Sequence, residues 1–167
     1  MSHAFIMCRW IICFAFLIAV IGKLRGRKSF REFAESLDGW TGLRLSESAR
    51  TSLALAVIVG EIFIVALTVF DRSAFFGMLL AIGVLLFFTL ATAISVRAGR
   101  RILCNCFGRG VRDVSTVHFV RNGILLVTSG VGAAGGSLVT SSVLPLVLAL
   151  VIAIAISRIE DIGYLFG

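Results

Sequence analysis

Ala74–Val96 runs for 23 residues without a charged residue or a proline. A helix of that length is about 35 Å long and covers the ~30 Å hydrocarbon core of a bilayer. Within lipid, only a helix or a closed barrel satisfies every backbone N–H and C=O. Similar apolar stretches occur at Phe5–Gly22, Leu53–Phe70, Thr116–Ala134 and Val139–Ser157. Of the 167 residues, 59% are hydrophobic, and the sole proline is Pro145. The expected fold class is therefore an all-α integral membrane protein of four to five transmembrane helices. Residues 1–167 read as a single polytopic membrane domain with short connections.

The stretches differ in polar content. Phe5–Gly22 carries Arg9 near its start and is followed by Lys23, Arg25, Arg27 and Lys28. A cleaved secretory signal has its positive charge upstream, so this is expected to be a retained span. Ser29-Phe30-Arg31-Glu32 has the form of a capping box, with Ser29 as N-cap. Phe30, Phe33, Ala34 and Leu37 then form an i, i+3, i+4, i+7 stripe, with Arg31, Glu32, Glu35 and Asp38 elsewhere around the helix. With Trp40 following, this is expected to be a short helix in the membrane interface that also covers part of a site. Glu61 lies about 12 Å into the second stretch, counted from Leu53. An ionisable residue there is costly and faces the bundle interior with a partner, as a proton-handling group or a structural anchor. Gly77 and Gly83 are expected to permit close helix packing.

Between the third and fourth stretches lies a polar loop, 97–113, containing Cys104-Asn105-Cys106-Phe107-Gly108 and Arg97, Arg100, Arg101, Arg109 and Arg112. A disulfide across one intervening residue closes a small ring; such strain favours an exchange-active pair over a structural staple. The arginines and the start of the next helix favour the thiolate, which is the attacking species. Closed zinc or iron–sulfur sites need more thiolates than two, and His118 is the nearest further candidate; no metal site is expected. Cys8 and Cys13, roughly 140° apart on a helix, read as buried small hydrophobes at the opposite membrane face.

The net charge of +7 comes from loops flanking the spans, not from a basic groove interleaved with aromatics, so nucleic acid is not an expected partner. Lysine and arginine number seven in 23–50 and five in 97–112, against Arg72 alone in the second loop. The positive-inside rule places the cysteine loop in the cytoplasm, where thiols are catalytic, redox-active or metal-binding rather than structural. In either orientation Lys23, Glu61 and Arg121 approach the membrane face that carries Cys104 and Cys106.

These elements resemble the MauE (methylamine utilisation) family of DoxX-like membrane proteins. The resemblance rests on Gly22-Lys23-Leu24 with Phe30, on Gly60-Glu61, and on the basic approach Arg97–Arg101. Cys104-Asn105-Cys106-Phe107-Gly108 and Arg121-Asn122 complete it, over about the first 130 residues. The family usually has glycine where this chain has Asn105. The resemblance implies a DoxX/MauE-like bundle in the bacterial inner membrane and a thiol–disulfide role beside a thioredoxin-like protein and a disulfide-containing client. A quinone electron partner is implied more distantly, with no covalently bound cofactor. It also implies a loop outside the cytoplasm, against the charge count. The expected site is then Cys104 and Cys106 as the redox pair and Glu61 as proton acceptor. Lys23, Phe107, Gly108, Arg121 and Asn122 form the lining and partner-binding surface. The alternatives are a non-catalytic assembly factor for such a partner and a carrier of soft metals or small metabolites.

Overall fold

The computed structural model describes residues 2–41, 45–98, 103–104, 112–113, 116–134 and 147–156. They form α1 (Ser2–Leu24), α2 (Arg27–Thr41), α3 (Glu47–Val69), α4 (Ala74–Arg97), α5 (Thr116–Ala134) and α6 (Val147–Ile156). A two-residue antiparallel pair, β1 (Leu103–Cys104) and β2 (Arg112–Asp113), lies between α4 and α5. This is an all-α membrane protein. Among the described residues, three helices are long and apolar enough to cross a bilayer: Phe5–Leu24, Glu47–Val69 and Ala74–Arg97. The apolar parts of the last two are shorter, Phe119–Ala134 and Val147–Ile156.

Four helices close a ring in which α1 packs on α3, α3 on α4, α4 on α5, and α5 back on α1. Ile12, Ala15, Phe16, Ile64, Met78, Ala81, Leu85 and Leu125 fill its centre. Ala149, Ala153 and Ile156 bring α6 into the same packing. Large apolar side chains such as Phe63, Phe76, Phe87, Ile94 and Val127 face outward, as the acyl chains of a bilayer require. The α3–α4 approach is closest at Gly77, where a Cβ would stand 2.8 Å from Thr68 Cγ2. Gly83, expected to do the same, meets nothing within 4 Å, because it lies where the two helices have diverged.

The short helix after the first span is present, but it starts at Arg27 rather than beyond Ser29. Phe30 N–H donates to Gly26 O at 3.1 Å, which makes Gly26 the cap and leaves Ser29 inside the first turn. Arg27 and Lys28 are good helix formers, so the turn propagates back to the glycine. The α2 stripe is turned inward: Phe33, Ala34 and Leu37 pack with Val20, Ala54 and Ile58. Lys28, Arg31 and Glu35 stay exposed. Asp38 anchors the far end, accepting from Arg50 Nε at 3.3 Å and from Leu45 N–H at 3.4 Å. With both ends held, α2 lies across α1, α3 and α4 as a cover.

Candidate functional site

Beneath that cover lies a buried ion pair. Lys23, in the last turn of α1, directs Nζ to both oxygens of Glu61 in the middle of α3, at 2.5 and 2.7 Å. Lys23 is 1% exposed and Glu61 4%. The lysine side chain therefore has protein around it instead of water. The ammonium reaches no solvent by snorkelling, so it depends on the carboxylate. The Phe33 ring lies over it, with its centroid 4.9 Å from Nζ, and Phe33 is fully buried. The electron-rich ring face supplies a second attraction for the cation where water is excluded.

The same half of the bundle is polar elsewhere. Arg121 and Asn122, in the second turn of α5, are 1% and 5% exposed. Asn122 Nδ2 donates to Thr89 Oγ1 at 3.2 Å, and that hydroxyl donates back to Leu85 O at 2.6 Å. Thr92 and Ser95, one and two turns further along α4, are also buried. Among the described residues Thr92 Oγ1 has no hydrogen-bond partner. Thr89, Thr92 and Ser95 went unread as a set, because α4 is so apolar overall. Their i, i+3, i+6 spacing was the available signal.

Within the cysteine loop, two short strands are described. Leu103 pairs with Asp113 and Cys104 with Arg112, and β1 packs on α2. Cys104 therefore sits in a strand resting on the helix that covers Lys23 and Glu61. Cys106, Phe107 and Gly108, and the side chain of Cys104, lie outside the described residues. So does the side chain of His118. Thus Lys23 and Glu61 are brought into contact, Arg121 and Asn122 are buried in the bundle, and Cys104 is placed by the pairing of its strand.

A second ion pair, buried only on its arginine side, occupies the opposite end. Arg9 Nε donates to Thr68 O at 2.5 Å and Nη2 to Val69 O at 2.6 Å, while Nη1 contacts Asp71. Sequence reasoning noted Arg9 only as a charge near the start of a span. The signal for its partner was Asp71, which alternation puts at the same membrane face. Cys13 is buried, as expected of a small hydrophobe, whereas Cys8, beside Gly132, is a free thiol only half-buried. Among the described residues no three His, Cys, Asp or Glu side chains converge.

The family model described as methylamine utilisation protein MauE matches residues 1–135, from α1 through α5. No curated protein and no solved structure matches.

Proposed function

This chain belongs to the MauE family, and from that premise we propose that it is a membrane thiol–disulfide redox component with Cys104 and Cys106 as its working pair. A thioredoxin-like partner presents a thiolate to the Cys104–Cys106 disulfide. Attack forms a mixed disulfide and frees one cysteine thiolate. The partner's second thiolate then resolves it, leaving the partner oxidised and this chain as a dithiol. The oxidised partner passes its disulfide to a client protein. Reclosing Cys104–Cys106 releases two electrons and two protons, which reduce a membrane quinone to the quinol.

The observation that carries this reading is the strand pairing of Cys104 with Arg112, against the helix that roofs the Lys23–Glu61 pair. It puts Arg112 opposite Cys104 in the strand register, and a basic neighbourhood is one in which thiolates are favoured. It also connects the cysteine hairpin, through α2, to a buried group able to hold a proton. Glu61, paired with Lys23, is the proton acceptor of this scheme. Arg121 and Asn122 line the same half of the bundle, and Phe107-Gly108 shapes the approach to Cys106.

In this reading the chain is a multi-pass protein of the bacterial inner membrane, and the loop faces the oxidising, non-cytoplasmic side. A pocket that needs arginine for thiolate chemistry accounts for the opposing count of basic residues. Methylamine utilisation, named in the family description, is the process in which we place the client. Cys104→Ser and Cys106→Ser should each abolish client oxidation in cells. A membrane-impermeant, mass-tagged alkylator should add two loop tags only after reduction, and in intact cells rather than inverted vesicles. Unchanged client oxidation in both variants would overturn the proposal.

A further inference from the structure

We propose that the corner between α1 and α2 is a binding site for an anionic phospholipid, a role independent of the redox reading. Leu24-Arg25-Gly26-Arg27-Lys28 turns the chain from the first span into α2, and all five residues are exposed. From Leu24 to Arg31 there are four basic residues and no acidic one. Lys28 and Arg31 each have a glutamate one turn on, but only at 3.9 and 3.8 Å, with the basic side chains 85% and 76% exposed. Among the described residues, Arg25 and Arg27 enter no ion pair. Arg25, Arg27 and Lys28 thus stand together at one end of a span with their charge largely uncompensated. At a membrane surface such a cluster attracts phosphate-bearing headgroups.

What lies along the span decides the kind of anion. Leu17, Ile21 and Leu24 recur at i, i+4 and i+7, so they share one face of α1, and they are 38%, 57% and 53% exposed. In a bilayer that face meets acyl chains. The stripe ends at Leu24, next in sequence to Arg25. Lys23, just before it, takes no part, because it turns inward to Glu61. An outward apolar stripe that ends at a group of cations matches a molecule with hydrocarbon within the bilayer and a negative charge at its surface. The long stems of arginine and lysine keep their methylenes on apolar surface while the charges reach the phosphate. Soluble phosphate or an acidic peptide would engage the cations alone and draw nothing from the stripe.

The test puts a fluorescent reporter at the corner. The full chain carrying Leu24→Trp, with both native tryptophans removed as Trp10→Phe and Trp40→Phe, is reconstituted in phosphatidylcholine vesicles. Quenching by brominated phosphatidylglycerol is compared with quenching by brominated phosphatidylcholine. At low salt the anionic lipid should be preferred about tenfold or more, and each of Arg25→Gln, Arg27→Gln and Lys28→Gln should lower that preference about two- to fivefold. The triple substitution should bring the two lipids to parity, and high salt should narrow the gap in the parent chain. Arg25→Lys with Arg27→Lys keeps the charge and should keep the preference. Arg72→Gln, an exposed cation at the opposite membrane face, should leave it unchanged. So should inorganic phosphate exchanged for chloride at equal ionic strength. Because the substituted side chains are exposed, the unfolding midpoint should stay constant across the series. Equal quenching by the two lipids in the parent chain, or a preference that survives the triple substitution, overturns the proposal. Displacement by inorganic phosphate overturns it too, since the corner would then be a site for a soluble anion.

Discussion

The two ion pairs that tie α1 to the rest of this bundle are built to different rules. Arg9 places three of its nitrogens on the end of α3, two on carbonyls that no further helical turn can satisfy and one on Asp71. It completes a helix terminus, complements the negative end of the helix dipole and ties the start of α1 to the α3–α4 turn. Lys23 and Glu61 complete nothing of that kind. They lie inside the bundle, bonded to each other beneath α2, with the Phe33 ring against the ammonium. A fold could dispense with the second pair by using two apolar residues, and it could not so easily dispense with the first. That difference separates an anchor from a site.

The sharpest way to break the comparison is to remove one partner from each pair and then both. Lys23→Met should destabilise by about 3–5 kcal/mol, because Glu61 is left charged and buried or must take up a proton. Adding Glu61→Leu should recover most of that loss, since an apolar pair of similar volume fills the same space. The double variant should be folded and without client oxidation. Unfolding titrations in detergent or lipid, read beside the cellular assay, check both halves. A double variant as unstable as the single one would make Lys23–Glu61 an anchor like Arg9.

Arg9→Met should cost about 2–3 kcal/mol through the freed carbonyls of Thr68 and Val69. Here the companion change should not rescue: Arg9→Met with Asp71→Leu leaves those carbonyls unmet, and stability should stay low. Client oxidation per folded molecule should be unchanged. The same titrations decide it, and recovery in the double variant would erase the distinction.

What could be read beforehand follows the same division. Apolar length located the spans, and Thr116–Ala134 has the bounds expected of it. α3 instead begins at Glu47, because Ser46 accepts from Ala49 N–H and a polar turn precedes the apolar run. Hydropathy marks where the bilayer begins, not where a helix does. Glu61 announced an interior partner through its cost in lipid, and Lys23 and Arg121 were legible as charges at the right membrane face. Their pairing was not, since it depends on α1 ending level with the middle of α3. Phe33 looked like any member of an apolar stripe, because an aromatic's use as a cation's partner depends on what lies over its face.

Packing at the anchor end gives a smaller effect. Gly77→Val should cost about 1–3 kcal/mol, since its Cβ would meet Thr68 Cγ2 at 2.8 Å and the backbone N of Thr68 at 3.0 Å. Because α3 and α4 would be pushed apart beside Arg9, the loss should be measurable in the unfolding midpoint with client oxidation per folded molecule retained. Gly83→Val, in open space, should be close to neutral and serves as the control.

The finest contrast lies between two threonines of equal burial. Thr68, at the anchor, gives its hydroxyl to Ile64 O at 2.8 Å and lies 3.0 Å from Val65 O. Thr92, at the site end, is 1% exposed, and its hydroxyl has no partner among the described residues. Replacing a satisfied buried hydroxyl with a methyl removes a hydrogen bond, whereas replacing an unsatisfied one removes only a desolvation cost. Thr68→Val should therefore lower stability by about 0.5–1 kcal/mol, and Thr92→Val should leave it unchanged or raise it by a similar amount. If Thr92 is kept as a polar lining for the working state, the stabilised variant should also oxidise its client more slowly. A Thr92→Val protein that is both more stable and fully active would confine the site to Lys23, Glu61 and the cysteine hairpin.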